Sequence, residues 1–450
     1  MTTPTSATSG ATGQSAQGAW AGKARLFVAV LLVVAIAEMI GAARFKLGPG
    51  QVIMLPMVWA LLIAAAIGIA HSHLPEPLRI TRKLQAYAGS LLNAGLLLFI
   101  AKLALTVGGA LPEVQKAGWA LLFQEFGHAL GTLALALPLA LILGIKREAV
   151  GATFSIGREN NLSIIGEKYG MDSAEGRGVL AEYITGTVLG ALFIALLAGF
   201  VASLNIFHPV SLAMGAGVGS GSMMAAAIGA ITAQSPPEMA PQLTAIGAAS
   251  NLLTAVVGFY FTLFLSLPLC SWLYDKLEPV LGRFSKRESA EAPALTEVQD
   301  LEGHAPSLAD TFLAWAVITC GVVLGNYMAY KVSPGDTLIG MAIIVVIAFV
   351  GHVIKRFLPH QIPEVLVLSV LATVAGIPWL LPFSDTIVAA TNKLNFLAFT
   401  TPVLALAGFS VAKDLPIFRR LGWRIVLVSL TAAAGTFLFA TIIAEFFPHG

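Results

Sequence analysis

Charge is what this chain has least of. Only 11% of its 450 residues are Asp, Glu, Lys or Arg, against 57% hydrophobic, and apolar runs near twenty residues long recur throughout. That balance excludes an ordinary soluble domain and reads as an all-α polytopic membrane protein. The net charge of +2 leaves no basic surface for nucleic acid. Cysteine is nearly absent: Cys270 and Cys320 sit in apolar context without metal spacing, so neither a disulfide framework nor a metal site is expected. No HExxH motif, serine nucleophile elbow, paired catalytic aspartates or Walker A sequence occurs, which argues against a membrane-embedded enzyme and against an ATP-driven pump. Residues 1–25 open on Ser, Thr, Gly, Ala and Gln without a basic region leading into a cleavable segment, and are read as a disordered tail.

Apolar segments fall near 26–43, 50–70, 88–107, 119–144, 179–202, 209–233, 242–274, 309–328, 335–354, 363–383, 394–411 and 425–446. Basic residues collect at 23–25, 79–83, 146–177, 276–287, 355–356 and 413–424, whereas the remaining loops hold only Arg44, Lys46, Lys116, Lys331 and Lys393. The positive-inside rule makes the rich loops and the N-terminus cytoplasmic. Parity then constrains the middle of the chain. The basic loops 145–178 and 275–308 both belong inside, yet three apolar segments lie between them, so one does not cross. Residues 209–233, entered through His208-Pro209 and left through Pro236-Pro237, are the natural re-entrant hairpin, giving about eleven transmembrane helices plus that hairpin. A broken full crossing is the competing reading, at the cost of misplacing four basic residues. The halves are then 26–274 and 309–450, joined by a cytoplasmic linker at 275–308.

Within the hairpin, Met214 to Ser222 reads MGAGVGSGS, with glycine at 215, 217, 219 and 221. Alternate glycines point around every face of a helix and each costs about 1 kcal/mol against Ala, so this backbone is expected to be unwound. Unwound backbone at membrane depth is tolerated only where protein buries it or it lines a watery cavity. A duplication is also visible. Leu111-Pro112, Gly118-Trp119 and Gly131-Thr132 recur with identical spacing at Leu415-Pro416, Gly422-Trp423 and Gly435-Thr436, each 304 residues later. Opposite charge in the two feeding loops makes the copies inverted. A second echo, Phe45-Lys46 with Pro49-Gly50 against Tyr330-Lys331 with Pro334-Gly335, reads as parallel and fits that scheme poorly.

Several polar groups interrupt the apolar pattern. Arg158, Asn160, Asn161 and Ser163 form a dense run before the fifth span; a guanidinium fork suits a carboxylate and the amides suit a cation or solute, while the alternative is a plain solvated loop. Gly217, Gly219, Ser220, Gly221 and Ser222 can offer N–H groups, a helix N-terminus and hydroxyls to an anion, against the alternative of a close helix contact. Gln124, Glu125 and His128 stand at i, i+1 and i+4, which puts Glu125 and His128 on one face for proton coupling; the alternative pairs Glu125 with Lys102. Glu182 opens the fifth span beside Tyr183, an interface aromatic. Asn251 bridges helices or binds substrate, and Thr400-Thr401-Pro402 is a second break candidate whose freed oxygens suit sodium.

The GAGVGSGS stretch, the duplicated helix pairs and the Thr400–Pro402 break together resemble the cation/proton antiporter and anion transporter superfamily, which includes glutamate/sodium symporters, 2-hydroxycarboxylate carriers and the lysine exporter. SIGRENNLSIIGEKYG followed by the Gly-rich hairpin is similar, more narrowly, to an uncharacterised bacterial family of integral membrane proteins, a domain of unknown function. The resemblance implies two broken elements crossing near the membrane centre, a separate scaffold domain that forms a homodimer, and residence in the bacterial inner membrane. The second half has no Gly-rich counterpart to 214–222, which departs from that pattern. The expected function is a secondary transporter of a small organic anion or amino-acid-like solute, with sodium or protons as coupling ion and no other cofactor. A channel is the alternative.

Overall fold

The computed structural model describes residues 10–76, 79–157, 159–171, 173–217, 219–284, 307–359 and 364–447. It is helical almost throughout. α1 (Gly10–Ile40) leads into a small antiparallel hairpin, β1 (Ala43–Leu47) and β2 (Gly50–Met54), then α2 (Pro56–Ile69), α3 (Arg82–Gly109) and α4 (Leu111–Ile142). α1 begins within the stretch whose composition predicts a tail. Short helices α5 (Glu148–Thr153) and α6 (Glu159–Lys168) precede α7 (Ala174–Thr185), which continues through a π turn at 186–190 into α8 (Ala191–Ser203). α9 (Pro209–Ala216) and α10 (Gly221–Thr232) form the Gly-rich element. α11 (Ala240–Phe261) passes through a second π turn at 262–266 into α12 (Leu267–Leu281). α13 (Leu308–Tyr330), α14 (Pro334–Phe357), α15 (Glu364–Gly376), α16 (Ser384–Asn392), α17 (Phe396–Arg420) and α18 (Trp423–Glu445) complete the chain. Of the segment 275–308 predicted as a linker, 285–306 lie outside the described residues.

Among the described residues, eight helices are long and apolar enough to cross a bilayer, and α2, α10 and α15 are shorter apolar helices. The protein is therefore an all-α, multi-pass membrane protein. Polar contacts sort the helix ends into two groups. At one end Lys23 pairs with Asp310 at 2.6 Å, Lys146 with Glu278 at 2.9 Å, Arg177 with Glu148 at 2.9 Å, and Arg147 with both Glu175 (2.7 Å) and Asp275 (3.1 Å). Burial works against the charge of Arg147, but the Glu175 hydrogen bond and the two carboxylates outweigh it and raise its pKa. The opposite end carries the β hairpin, the Lys393–Asp336 pair at 2.7 Å, and the bond from the His208 N–H to Glu445 at 3.0 Å. Because Lys146 and Arg147 touch Glu278 and Asp275, the loops at 145–178 and the end of α12 share the basic end.

The inverted duplication extends over four helices. Element order and packing pair α1, α2, α3 and α4 with α14, α15, α17 and α18: each runs opposite to its counterpart, and the packing of α2 on α17 is answered by that of α15 on α3. α4 and α18 are antiparallel neighbours: Arg424 at the start of α18 donates to the Leu143 carbonyl after α4 at 3.0 Å, and Phe123 stacks on Phe447 at the other end with ring centroids 5.5 Å apart. A Cβ on Gly131 would strike the Gly435 carbonyl, and one on Gly435 would strike the Gly131 carbonyl. These glycines are 304 residues apart and equivalent in the repeat, so the helices cross on the pseudo-two-fold axis itself. α2 packs along α17 with Gly68 against Ala412, and α15 packs along α3 with Gly108 against Thr373. The glycines of the repeated Gly-Trp pairs share a positive φ, though not ψ (−110° at Gly118, 150° at Gly422). Gly118 (φ 33°) and Gly422 (φ 76°) both take the left-handed region, and Trp119 and Trp423 both point outward at opposite ends. From Trp119 to Leu143, beside Arg424, is about 36 Å of helix at 1.5 Å per residue, the separation of two membrane-interface belts.

Two expectations are corrected. The echo between 45–50 and 330–335 is not a structural repeat, because the first is a strand turn and the second a tight helix–helix connection with Lys331 at φ 58°. The chain is also not broken at Thr400-Thr401-Pro402: α17 stays helical through Pro402, held between α2, α3 and α13. The Gly-rich element lies between the two copies of the repeat, which is why the second half contains no counterpart.

Candidate functional site

α9 and α10 form a hairpin that enters and leaves at one end of the bundle. His208 follows closely on the end of α8, and Gln234, just past α10, donates to the Gly199 carbonyl one turn before that same end. Gln51 of the β hairpin ties the two together, its N–H donating to Ser203 Oγ at 2.7 Å and its amide to Gln234 Oε1 at 3.1 Å. α9 is only eight residues long, about 12 Å, so the tip stops well inside a core about 30 Å thick. Asn251, which meets the tip, lies about 16 Å of helix from the start of α11 at Ala240.

The break is narrower than the sequence predicts. α9 runs to Ala216 and α10 begins at Gly221, leaving Gly217, Gly219 and Ser220 outside helix; Val218 lies outside the described residues. Leaving the helix strands backbone carbonyls in an apolar setting, where each must find a donor. α11 supplies these donors. Ser250 donates to the Met214 carbonyl at 2.7 Å, and Asn251 donates to the carbonyls of Gly217 (2.7 Å) and Gly219 (3.1 Å). Gly219 has φ +99°, which favours glycine. Gly215, by contrast, allows close contact with Thr441 and the Phe437 carbonyl of α18. At the start of α10, Ser220 caps Met223 N–H and its hydroxyl lies 3.2 Å from that of Ser222. A Cβ on Gly221 would meet nothing within 4 Å among the described residues, so the tip is open on that side of them.

One turn along α11 from Asn251, the Thr254 hydroxyl donates to Glu125 Oε1. Glu125 is fully buried. Its Oε1 also accepts from Gln124 at 2.7 Å, while Oε2 faces His128 Nδ1 at 3.5 Å and has no hydrogen-bond partner among the described residues. The other ring nitrogen of His128 is 3.3 Å from Ser155 Oγ, which accepts from the Gly157 N–H at 3.1 Å and from Thr262 at 3.4 Å. Thr262 and Ser266 sit in the second π turn, and Ser266 donates to the Phe154 carbonyl. Such turns free side chains and carbonyls from the regular ladder. A buried carboxylate beside an imidazole can hold a proton between them and pass it along the Ser155–Thr262 hydroxyls.

The segment 154–157 also meets the hairpin: the Ile156 side chain lies 3.4 Å from where a Gly219 Cβ would be. Asn161 on α6 is fully buried beside Gly157, with neither amide atom hydrogen bonded among the described residues. Asn160 is half-buried, and Ser163 is exposed on the far side of α6, away from Asn161. Arg158 lies outside the described residues. Glu182 is buried on α7 beside Gly186 of the first π turn. Thr400 and Thr401 are buried elsewhere, against Met57 and Glu38. The Glu125–Lys102 pair does not form, because Lys102 donates to the Thr391 carbonyl at 2.9 Å.

Sequence reasoning missed Ser155, Ser250, Thr254 and Thr262. Ser250, Asn251 and Thr254 repeat the i, i+1, i+4 spacing of Gln124, Glu125 and His128, and that match was the available signal. An open groove lined by Phe123, Phe126, Leu130, Ile443, Phe446 and Phe447 offers no polar group and is separate from this constellation.

A family model described as protein of unknown function (DUF3100) matches residues 35–276, more than half of the chain. The chain belongs to the DUF3100 family. Comparison with curated proteins and with solved structures gives no match. The DUF3100 match contains the whole hairpin, Asn251, and the Glu125–His128 pair, and stops before the second copy of the repeat.

Proposed function

We propose that this DUF3100 protein is a secondary active transporter moving a small organic anion or amino-acid-like solute by alternating access, with the hairpin tip as its substrate site. The tip carries the reading. Its carbonyl end is already satisfied by Ser250 and Asn251, so the groups left for a ligand are the first N–H groups of α10 and the hydroxyls of Ser220 and Ser222, beside the open space at Gly221. A helix N-terminus with free donors favours negative charge. The amide of Asn161 supports the same reading from α6, and Arg158 would add a carboxylate-binding fork.

The inverted four-helix repeat supports alternating access, because two copies related by an axis in the membrane plane can exchange conformations around a fixed site. Glu125 and His128 serve as the coupling pair for protons in this scheme, with Asn251 and Thr254 linking them to the tip through one turn of α11. The concentration of Lys and Arg at one end supports a cytoplasmic N-terminus in the bacterial inner membrane. Membership of the cation/proton antiporter and anion transporter superfamily, and its homodimer, belong to this proposal and rest on the resemblance of the Gly-rich hairpin and the duplication.

Uptake into proteoliposomes tests it. With a panel of carboxylates and amino acids and imposed sodium or proton gradients, saturable, gradient-dependent accumulation of at least one solute is expected. Equal entry of all solutes with no saturation would favour a channel instead, and no entry of any would remove the transport reading.

A further inference from the structure

Glu38 is buried just before the end of α1, with its Oε1 2.8 Å from Thr401 Oγ1 of α17. The same Oγ1 lies 3.1 Å from the Leu397 carbonyl, one turn back on α17. A hydroxyl has one hydrogen, so it serves one of these two acceptors at a time. Gly325 of α13 closes another side: a Cβ there would stand 3.2 Å from Oε1, too near for a water or an ion to fit between. A carboxylate so enclosed is costly unless something neutralises it. Among the described residues no Lys, Arg or His pairs with Glu38. The charges on the elements packed around it are engaged or distant. α2 carries no titratable residue. On α3, Arg82 and Lys83 stand at the basic end, Tyr87 donates to Asp310 there, and Lys102 donates to the Thr391 carbonyl. Asp310 of α13 pairs with Lys23, and the charges of α17 begin with the Lys413–Asp414 pair, about 18 Å of helix beyond Thr401. Arg44 and Lys46 of β1 are exposed. Tyr330 of α13 is close enough to sense the Glu38 charge, but its phenol is neutral at ordinary pH and offers no counter-charge.

We propose that Glu38 is a proton-binding site at the end of the bundle opposite the basic loops, and that its acid form fastens α1 to α17. The acid donates from Oε1 to Thr401 Oγ1, whose own hydrogen then goes to the Leu397 carbonyl. One chain of hydrogen bonds results, and no charge is buried. When the proton leaves to water at that end, the Thr401 hydroxyl turns to the carboxylate and a negative charge stays against Gly325 without a counter-charge. The α1–α17 contact is therefore weaker in the ionised form. Leu397 also borders Gly229 of α10, together with Met57 of α2, so the site stands one contact layer from the hairpin. It is separate from the Glu125–His128 pair, and the proposal concerns proton binding alone and does not depend on the carrier reading.

Thermal unfolding of the full-length, detergent-purified protein tests it, with wild type and Glu38→Gln compared from about pH 5 to about pH 8. Gln is a neutral near-isostere of the acid, and its Nε2 donates to Thr401 as the acid hydroxyl does. All other groups titrate alike in the two proteins, so the difference between their melting temperatures isolates Glu38. Across this range the unfolded chain ionises the carboxyl freely while the folded protein holds the acid, so the wild type loses stability as pH rises and Glu38→Gln does not. The two are expected to melt at similar temperatures at about pH 5, and the wild type several degrees below Glu38→Gln at about pH 8. A difference that stays constant or reverses with pH overturns the site, because it would mean a carboxylate that is charged and partnered in the folded protein. A Glu38→Gln protein that fails to fold overturns it as well, since a site that holds the acid must accept its neutral isostere.

Discussion

Asn251 makes two hydrogen bonds to the hairpin tip. Its amide nitrogen serves two carbonyls that leaving the helix would otherwise strand, those of Gly217 and Gly219. Asn251→Leu is expected to destabilise the protein by about 1–3 kcal/mol, the cost of unpaired buried carbonyls, read as a lower melting temperature; an unchanged melt would show that the tip finds other donors. Arg147 behaves differently. Its folded pKa is raised above the unfolded value, so its stabilising contribution is complete at all pH values below the unfolded pKa and fades only in strong alkali as the folded pKa is passed. Arg147→Ala should therefore lower the melting temperature by the same amount at about pH 5 and about pH 9. A loss confined to one of those pH values would contradict the pairing with Glu175 and Asp275. At this scale the sequence reveals residue types better than partners. Glu125 and His128 do share a face, yet Lys102 turns to Thr391 and Thr401 finds Glu38, because the partner of an intramembrane polar group is set by tertiary packing that spacing along one helix does not encode.

Helix elements were more legible. The positions of the apolar segments match the helices closely, since the hydropathic length needed to cross a bilayer is a property of local sequence. The hairpin was legible through charge parity, and the ends of α8 and α10 lie together as that parity requires. Impermeant thiol labelling of single-cysteine variants checks this. Asn205→Cys and Glu238→Cys, in a background with both native cysteines replaced, should react from the same side, and Lys276→Cys from the other. Labelling of Asn205→Cys and Glu238→Cys from opposite sides would make the element a broken crossing. Pro402 was over-read, because a proline bends a helix without ending it when neighbours hold it on several sides. The crossing of α4 and α18 offers another test. Gly131→Ala and Gly435→Ala each drive a methyl into the facing carbonyl, so each should cost about 1–3 kcal/mol as overpacking. Similar losses from the two are expected from their equivalence; a neutral effect at either would argue against the close crossing in the membrane.

Over the whole molecule, the inverted repeat and the element it does not include set the shape of the account. Six identical residues at one offset disclosed the α4–α18 pair, but the pairing of the other three helices rests on direction and packing alone. The hairpin and its two flanking helices, α7–α8 and α11–α12, lie between the copies, against α18, α4 and α3. This arrangement gives the hairpin helices neighbours from both copies of the repeat, Met57 of α2 at Gly229 and Thr441 of α18 at Gly215, while the tip itself meets α11 and residues 154–157. The central claim is that the space at the tip, beside Gly221, receives the transported solute. Gly221→Leu starts its side chain into that space, with nothing within 4 Å of its Cβ among the described residues and no positive φ to strain, whereas Arg79→Ala changes a loop at the basic end where, among the described residues, the side chain bonds the Leu74 carbonyl. Saturable proteoliposome uptake of the solute identified for the wild type, measured for both variants at matched melting temperature, is expected to be abolished in Gly221→Leu and retained in Arg79→Ala; uptake at the wild-type rate in Gly221→Leu would contradict the assignment.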